Sequence, residues 1–212
     1  EKAARSGDKE SRRVLDFCSR MKSALSRGVA ARNVPRAEQE TDIARDLHLL
    51  TDKKVLYIAN VSESVLKEDG AYIRQVEEYA RKEGAQAIAI CGDMEMEIAK
   101  LDRKEQKDFL ADLGLEESGL QKLIRAGYEL LDLITFYTTV GPELRAWTIK
   151  RGTRAPEAAG RIHTDMEQGF IRAEVAHYDD FIRAGTLSAV REKGLLHLEG
   201  KDYPIQDGDI VY

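Results

Sequence analysis

Two short apolar runs on either side of one amphipathic helix pattern constrain this chain more than any other feature. Residues 55–59 read Val-Leu-Tyr-Ile-Ala, and residues 86–90 read Gln-Ala-Ile-Ala-Ile. Between them a helix is predicted from Ala71 to Glu83, with Gly84 to stop it. A strand, a crossover helix and a second strand return the chain to the same end of the sheet, so the strands pair in parallel. Near-continuous apolar strands of this kind are expected to be buried on both faces. In such sheets ligands gather at the carboxyl ends of the strands.

The first strand ends at Asn60-Val61-Ser62-Glu63 and the second at Cys91-Gly92. An Asn with a carboxylate three residues later is the spacing with which P-loop GTPases read their base, but here Val61 stands for the usual Lys and Glu63 for the usual Asp. Guanine offers a ring N–H and an amino group side by side, which one carboxylate accepts together. Adenine lacks that pair, whereas an Asn amide matches its amine and neighbouring ring nitrogen. The substitutions therefore weaken guanine specificity and make room for adenine. The competing reading is a plain loop with Ser62 as a helix cap. At Cys91-Gly92 a glycine permits close backbone approach to a base, against an inert buried cysteine followed by a turn.

No phosphate cradle is visible. Gly114-Leu-Glu-Glu-Ser-Gly119 has the glycine spacing of a Walker loop, but Leu120-Gln121 follow in place of Lys-Ser/Thr and its acidic residues repel phosphate. It reads as a joint between helices. His48, His163, His177 and His197 form no ligand motif, and His163-Thr164-Asp165 has no nucleophile placed beside it. Catalytic residues are not assigned, and no metal site is expected.

Three zones are expected along the 212 residues. Residues 1–50 are helical: Val14, Phe17, Cys18, Met21, Ala24 and Leu25 recur at helical spacing, Gly28 stops that helix, and a second follows Pro35 with Ile43, Leu47 and Leu50 on one face. Gly7-Asp8 looks like a turn from an earlier helix ending over residues 1–5. Residues 51–139 hold the strand–helix–strand unit and further helices at 94–101, 104–113 and 120–131. Gly141-Pro142 reads as a linker. Residues 140–212 read as a small α+β sheet: strands at 144–149, 170–175, 196–198, 203–205 and 209–212, and short helices opened by Pro156 and Tyr178. The chain starts at Glu1 without methionine and stops at Tyr212 inside an apparent strand, so a piece of a longer protein is expected. Two cysteines without metal spacing suit a reducing cytosol, and no apolar run is long enough to span a bilayer.

The net charge of −5 argues against a generally basic coat. Against that background Lys150, Arg151, Arg154 and Arg161 cluster around Trp147, a pattern that suits phosphate contacts and base stacking on RNA. A core tryptophan with a solvated basic edge accounts for the same residues.

From residue 126 onward the runs Ala126-Gly-Tyr-Glu-Leu-Leu131, Thr135-Phe-Tyr-Thr138, Arg145-Ala-Trp-Thr-Ile-Lys-Arg-Gly-Thr153, Ala155–Asp165, Glu167–Val175, Gly200-Lys-Asp-Tyr203 and Gln206-Asp-Gly-Asp209 resemble the YchF (EngD, Obg-like ATPase) family. The resemblance implies an α/β architecture: a coiled-coil arm segment at 1–50, the last part of a P-loop nucleotide-binding domain at 51–139, and a TGS domain of ubiquitin-like β-grasp fold at 140–212. It implies ATP or GTP as ligand, with Asn60, Val61 and Glu63 and the Cys91-Gly92 loop on the base, and Mg²⁺ held by residues outside this chain. ATPase or GTPase activity is implied for the intact protein and not for this chain alone. The resemblance also implies a monomeric cytoplasmic protein with a ribosome or RNA partner, for which Lys150, Arg151 and Arg154 are the candidate contacts.

Overall fold

The computed structural model describes residues 8–67, 70–140 and 143–212. It divides into two compact units, residues 1–126 and 127–212. The expected turn at Gly7, the helix end at 1–5 and the Gly141-Pro142 linker fall at least partly outside the described residues.

The amino-terminal unit opens with α1 (Lys9–Ser26), whose first turn is capped by Asp8 accepting from the Glu10 and Ser11 amides. Phe17, Met21 and Ala24 lie on one face of α1 and bury against Ala31, Val34 and Ala44, with Leu25, Ile43 and Leu49 packed around them. The expected second helix is short, α2 (Thr41–Asp46). Its end departs from the expected face: Leu50 is 78% exposed and Leu47 is also outside, whereas Leu49 packs inward. The helix stops before Leu50, where residues 50–52 form a three-ten turn, so the helical spacing no longer applies.

The parallel unit follows as β1 (Leu56–Asn60), α3 (Glu63–Lys67), α4 (Ala71–Lys82) and β2 (Gln86–Ile90). β1 and β2 pair in parallel from Leu56↔Gln86 to Asn60↔Ile90, so Asn60 and Ile90 end side by side. Burial on both faces does not hold: Ile58 is 46% exposed, because the described sheet here has only two strands. α5 (Gly92–Ile98), α6 (Arg103–Asp112) and α7 (Gly119–Leu131) complete the run. Cys91, Met94, Ile98 and Leu110 form their own small cluster.

The carboxyl-terminal unit contains β3 (Leu133–Val140), β4 (Glu143–Lys150), α8 (Ala155–Ile162), α9 (Thr164–Gln168), β5 (Ala173–Ala176), α10 (Tyr178–Ala184), α11 (Leu187–Glu192), β6 (His197–Glu199) and β7 (Ile210–Val211). Its sheet order is β4-β3-β7-β5-β6, with β7 parallel to β3 and the other pairs antiparallel. Alternation along β3 and register with β4 put Ile134, Phe136, Trp147 and Ile149 on one face. The small residues Ala155 and Ala158 let α8 approach that face, with Ile205 closing the core.

β3 and β4 form one hairpin running from Leu133↔Lys150 to Val140↔Glu143, across the position 139/140. Residues 203–205 are no strand. They make a single bridge, Arg154↔Pro204, since proline has no N–H for a ladder.

Candidate functional site: two strand ends joined by a side chain

The parallel register brings Asn60 and the Cys91-Gly92 turn together at one end of the sheet. The Gly92 amide donates to Asn60 Oδ1 at 3.1 Å, and the Val61 amide donates to the Ile90 carbonyl at 2.9 Å. A backbone N–H can only donate, so the Asn60 carbonyl must face Gly92 and its NH₂ group faces away. A Cβ at Gly92 would lie 3.4 Å from Asn60 Oδ1, an ordinary van der Waals contact. Cys91 is buried and contributes to packing.

Val61 is half-buried beside Asn60, and Glu63 is exposed at the first position of α3. The Ser62 carbonyl accepts from the Leu66 amide at 3.0 Å, and its hydroxyl meets that of Ser64 at 3.1 Å. Ser62 thus stands at the start of α3 while its neighbours Asn60 and Val61 bond to Gly92 and to Ile90 at the end of β2.

Sequence reasoning missed a second contact at this place. Glu95, in the first turn of α5, accepts from the Gly119 amide at 2.7 Å and the Leu120 amide at 3.0 Å, one on each carboxylate oxygen. Its carboxylate thus satisfies two open N–H groups at the start of α7. Gly119 is the second glycine of the Walker-like spacing. The joint it ends binds a carboxylate of this chain.

The basic cluster is only partly assembled. Lys150 Nζ donates to the Leu131 carbonyl at 2.5 Å, Arg151 pairs with Asp132 at 3.3 Å, and Arg154 pairs with Asp202 at 2.9 Å. Trp147 is half-buried: its indole N–H donates to Thr138 Oγ1 at 2.9 Å and its ring packs against the core. His163 caps α9 by accepting from the Asp165 amide at 3.2 Å, which makes the pair a helix start and not a catalytic dyad.

Near the chain's end, Asp209 is fully buried. It accepts from the Tyr203 hydroxyl at 2.9 Å and the Gln206 amide at 2.8 Å, and bonds His177 Nδ1 at 2.8 Å. Burial raises the Tyr203 phenol well above its ordinary range, and the Asp209 hydrogen bond adds to the shift. Gly208 sits at φ +86°, and the turn around it holds β3 through Asp207 Oδ1 accepting from the Thr135 amide at 2.8 Å. The Gln206–Asp209 motif is structural.

The fold and the joined strand ends define a two-unit α/β chain with a parallel strand–helix–strand half and a mixed-sheet half. Residues 133–212 match the family model YchF-GTPase_C, described as a protein of unknown function (DUF933). The chain is 42% identical over 213 residues to the ribosome-binding ATPase YchF of Bacillus subtilis (strain 168), and 44% identical over 212 residues to the ribosome-binding ATPase YchF of Haemophilus influenzae. Both alignments take in all of this chain and 58% of the relative. The structure of the Schizosaccharomyces pombe YchF GTPase superposes with a TM-score of 0.83 at 30% identity, over 96% of this chain and 54% of that one. The chain belongs to the YchF family, and it spans somewhat over half the length of the relatives it matches.

Among the described residues no group of three His, Cys, Asp or Glu is placed to hold a metal ion, and no helix is long and apolar enough to cross a membrane.

Proposed function

We propose that this chain carries the base-reading side of the nucleotide pocket of a ribosome-associated P-loop ATPase or GTPase, working in the cytoplasm with Mg²⁺ and phosphate contacts supplied by other residues of the protein. The observation that carries the reading is the Gly92–Asn60 hydrogen bond, which joins the two strand ends and aims the Asn60 NH₂ outward. That donor suits a purine ring nitrogen, N7, which adenine and guanine both present. Asn60 then selects a purine without distinguishing which one. Discrimination falls to Glu63, one methylene longer than an Asp, with Val61 as an apolar cover. Calorimetric titration of the protein at its natural full length with ATP, GTP and CTP tests this. Both purine nucleotides are expected to bind more tightly than CTP, and equal binding of CTP would overturn the reading.

The carboxyl-terminal unit is read as a TGS domain of β-grasp fold: α8 lies across a mixed sheet in which the last strand runs parallel to the first. Its exposed cations Lys150, Arg151 and Arg154 are read as ribosome or RNA contacts. Their partners are surface carboxylates or a carbonyl, and surface pairs are weak enough to exchange for phosphate. Reversing all three charges is expected to reduce ribosome co-sedimentation, and unchanged co-sedimentation would reject this face. An RNA-binding module without catalysis of its own is the second reading, favoured by the absence of a phosphate loop from these residues.

A further inference from the structure

The hydrogen bonds around Asn60 continue past Gly92 into α5. The Glu95 amide closes the first turn of α5 on the Cys91 carbonyl at 3.0 Å, and the Glu95 carboxylate grips the Gly119 and Leu120 amides at the start of α7. The turn that presents the Gly92 N–H is thereby fixed at its far side. Gly119 is needed for the grip. A Cβ there would come within 2.9 Å of Ile90 Cγ2 and 2.8 Å of Glu95 Oε1. Ile90 is the last residue of β2, and its carbonyl holds the Val61 amide. A side chain at position 119 would therefore press on the strand end and on the carboxylate at once.

We propose that Glu95 and Gly119 form a clasp that sets the orientation of Asn60, making Glu95 a positioning residue for purine binding although it touches no nucleotide. The inference rests on the base-pocket reading above. Two amide hydrogen bonds to one carboxylate hold α5 against α7, the α5 turn holds Gly92, and Gly92 fixes which end of the Asn60 amide faces out. Without the clasp the Asn60 amide is free to rotate, and its NH₂ loses its fixed aim at N7.

The test compares ATP with 7-deaza-ATP, which lacks the N7 acceptor, on the protein at its natural full length. One hydrogen bond to a ring nitrogen is worth about tenfold in affinity. The unaltered protein is expected to bind ATP about tenfold more tightly than 7-deaza-ATP. In Glu95→Ala and in Gly119→Ala that ratio is expected to fall towards one, with ATP affinity reduced and kcat at saturating ATP changed less than about twofold. Glu95→Gln keeps one acceptor oxygen for the Gly119 amide and is expected to retain most of the ratio. If the unaltered protein binds the two nucleotides equally, the base-pocket reading itself fails. If the unaltered protein discriminates and both Glu95→Ala and Gly119→Ala discriminate equally well, the clasp is refuted while the pocket stands. Should Glu95→Ala not fold, Gly119→Ala and Glu95→Gln decide: an undiminished ratio in Gly119→Ala overturns the proposal.

Discussion

The two units hold themselves together by different means. In the amino-terminal unit the apolar residues gather in separate clusters, and ion pairs near the surface link distant segments: Arg20 with Glu40, Arg36 with Asp52, and Arg32 with Glu83, which also accepts from Tyr57 and Tyr79. The carboxyl-terminal unit packs an apolar cluster against its five-stranded sheet, and one carboxylate, Asp209, is buried whole with its partners around it. Charge at the surface is a mild, adjustable glue. A carboxylate with no access to water is a requirement that the rest of the unit must meet.

The largest effect is expected where that requirement is broken. Asp209→Ala leaves the Tyr203 hydroxyl, His177 Nδ1 and the Gln206 amide without their partner, at a cost of about 3 kcal/mol. Trp147 is the chain's one tryptophan and belongs to the same unit, so its fluorescence in a denaturant titration reports the loss directly. A transition unmoved from the parent's would mean that the buried network contributes nothing.

A smaller effect with opposite signs in the two units is expected on changing pH. The Glu83 carboxyl is held below its ordinary range, first by the Tyr57 hydroxyl and then by Arg32, and Glu40 is lowered by the Ala37 amide and then by Arg20. Carboxyls with depressed native values stabilise the fold above their unfolded value, and that stability drains away as pH falls below about 4. The Tyr203 phenol is shifted the other way, so the unfolded chain gives up this proton first and stability falls as pH rises above about 10. Amide exchange followed by NMR should show acid loosening the contacts of Glu40 and Glu83, and alkali loosening the turn at 203–209. The reverse order would undo the comparison.

The smallest difference separates two neighbours in sequence. Leu49→Ala removes a partly buried side chain from the α1 cluster and is expected to cost about 1 kcal/mol, whereas Leu50→Ala lies within about 0.5 kcal/mol of no effect. Thermal melts of the two variants, matched for concentration, would read this out.

Legibility in the sequence follows the same divide between local pattern and distant contact. Strand β2 and helix α4 were legible to within a residue, because strict apolar runs and glycine stops act locally. β3 was missed because nothing punctuates its start. Asp132 takes the left-handed conformation, φ +53°, that a glycine would have announced. At the site, Asn60 and Gly92 were visible as strand-end residues, yet the bond between them depends on register and could not be read from either segment. Glu95 and Gly119 were less visible still. They are 24 residues apart and meet only because α7 starts where α5's first turn ends. The Walker-like spacing around Gly119 is unrelated to its contact with Glu95. Trp147 and the basic residues around it looked like one patch in sequence, but strand alternation sends the ring inward and leaves the charges outside.

The Gly92–Asn60 bond has a practical corollary. What it leaves facing outward is a neutral amide beside a valine, and neither carries charge for salt to screen. Phosphate contacts made by lysine and arginine, in contrast, release counterions and weaken steeply as salt rises. A wash of increasing ionic strength should therefore loosen a ribosome held through Lys150, Arg151 and Arg154 well before it disturbs purine selection. On the proposed function, the two kinds of recognition would then separate on a gradient without altering a residue.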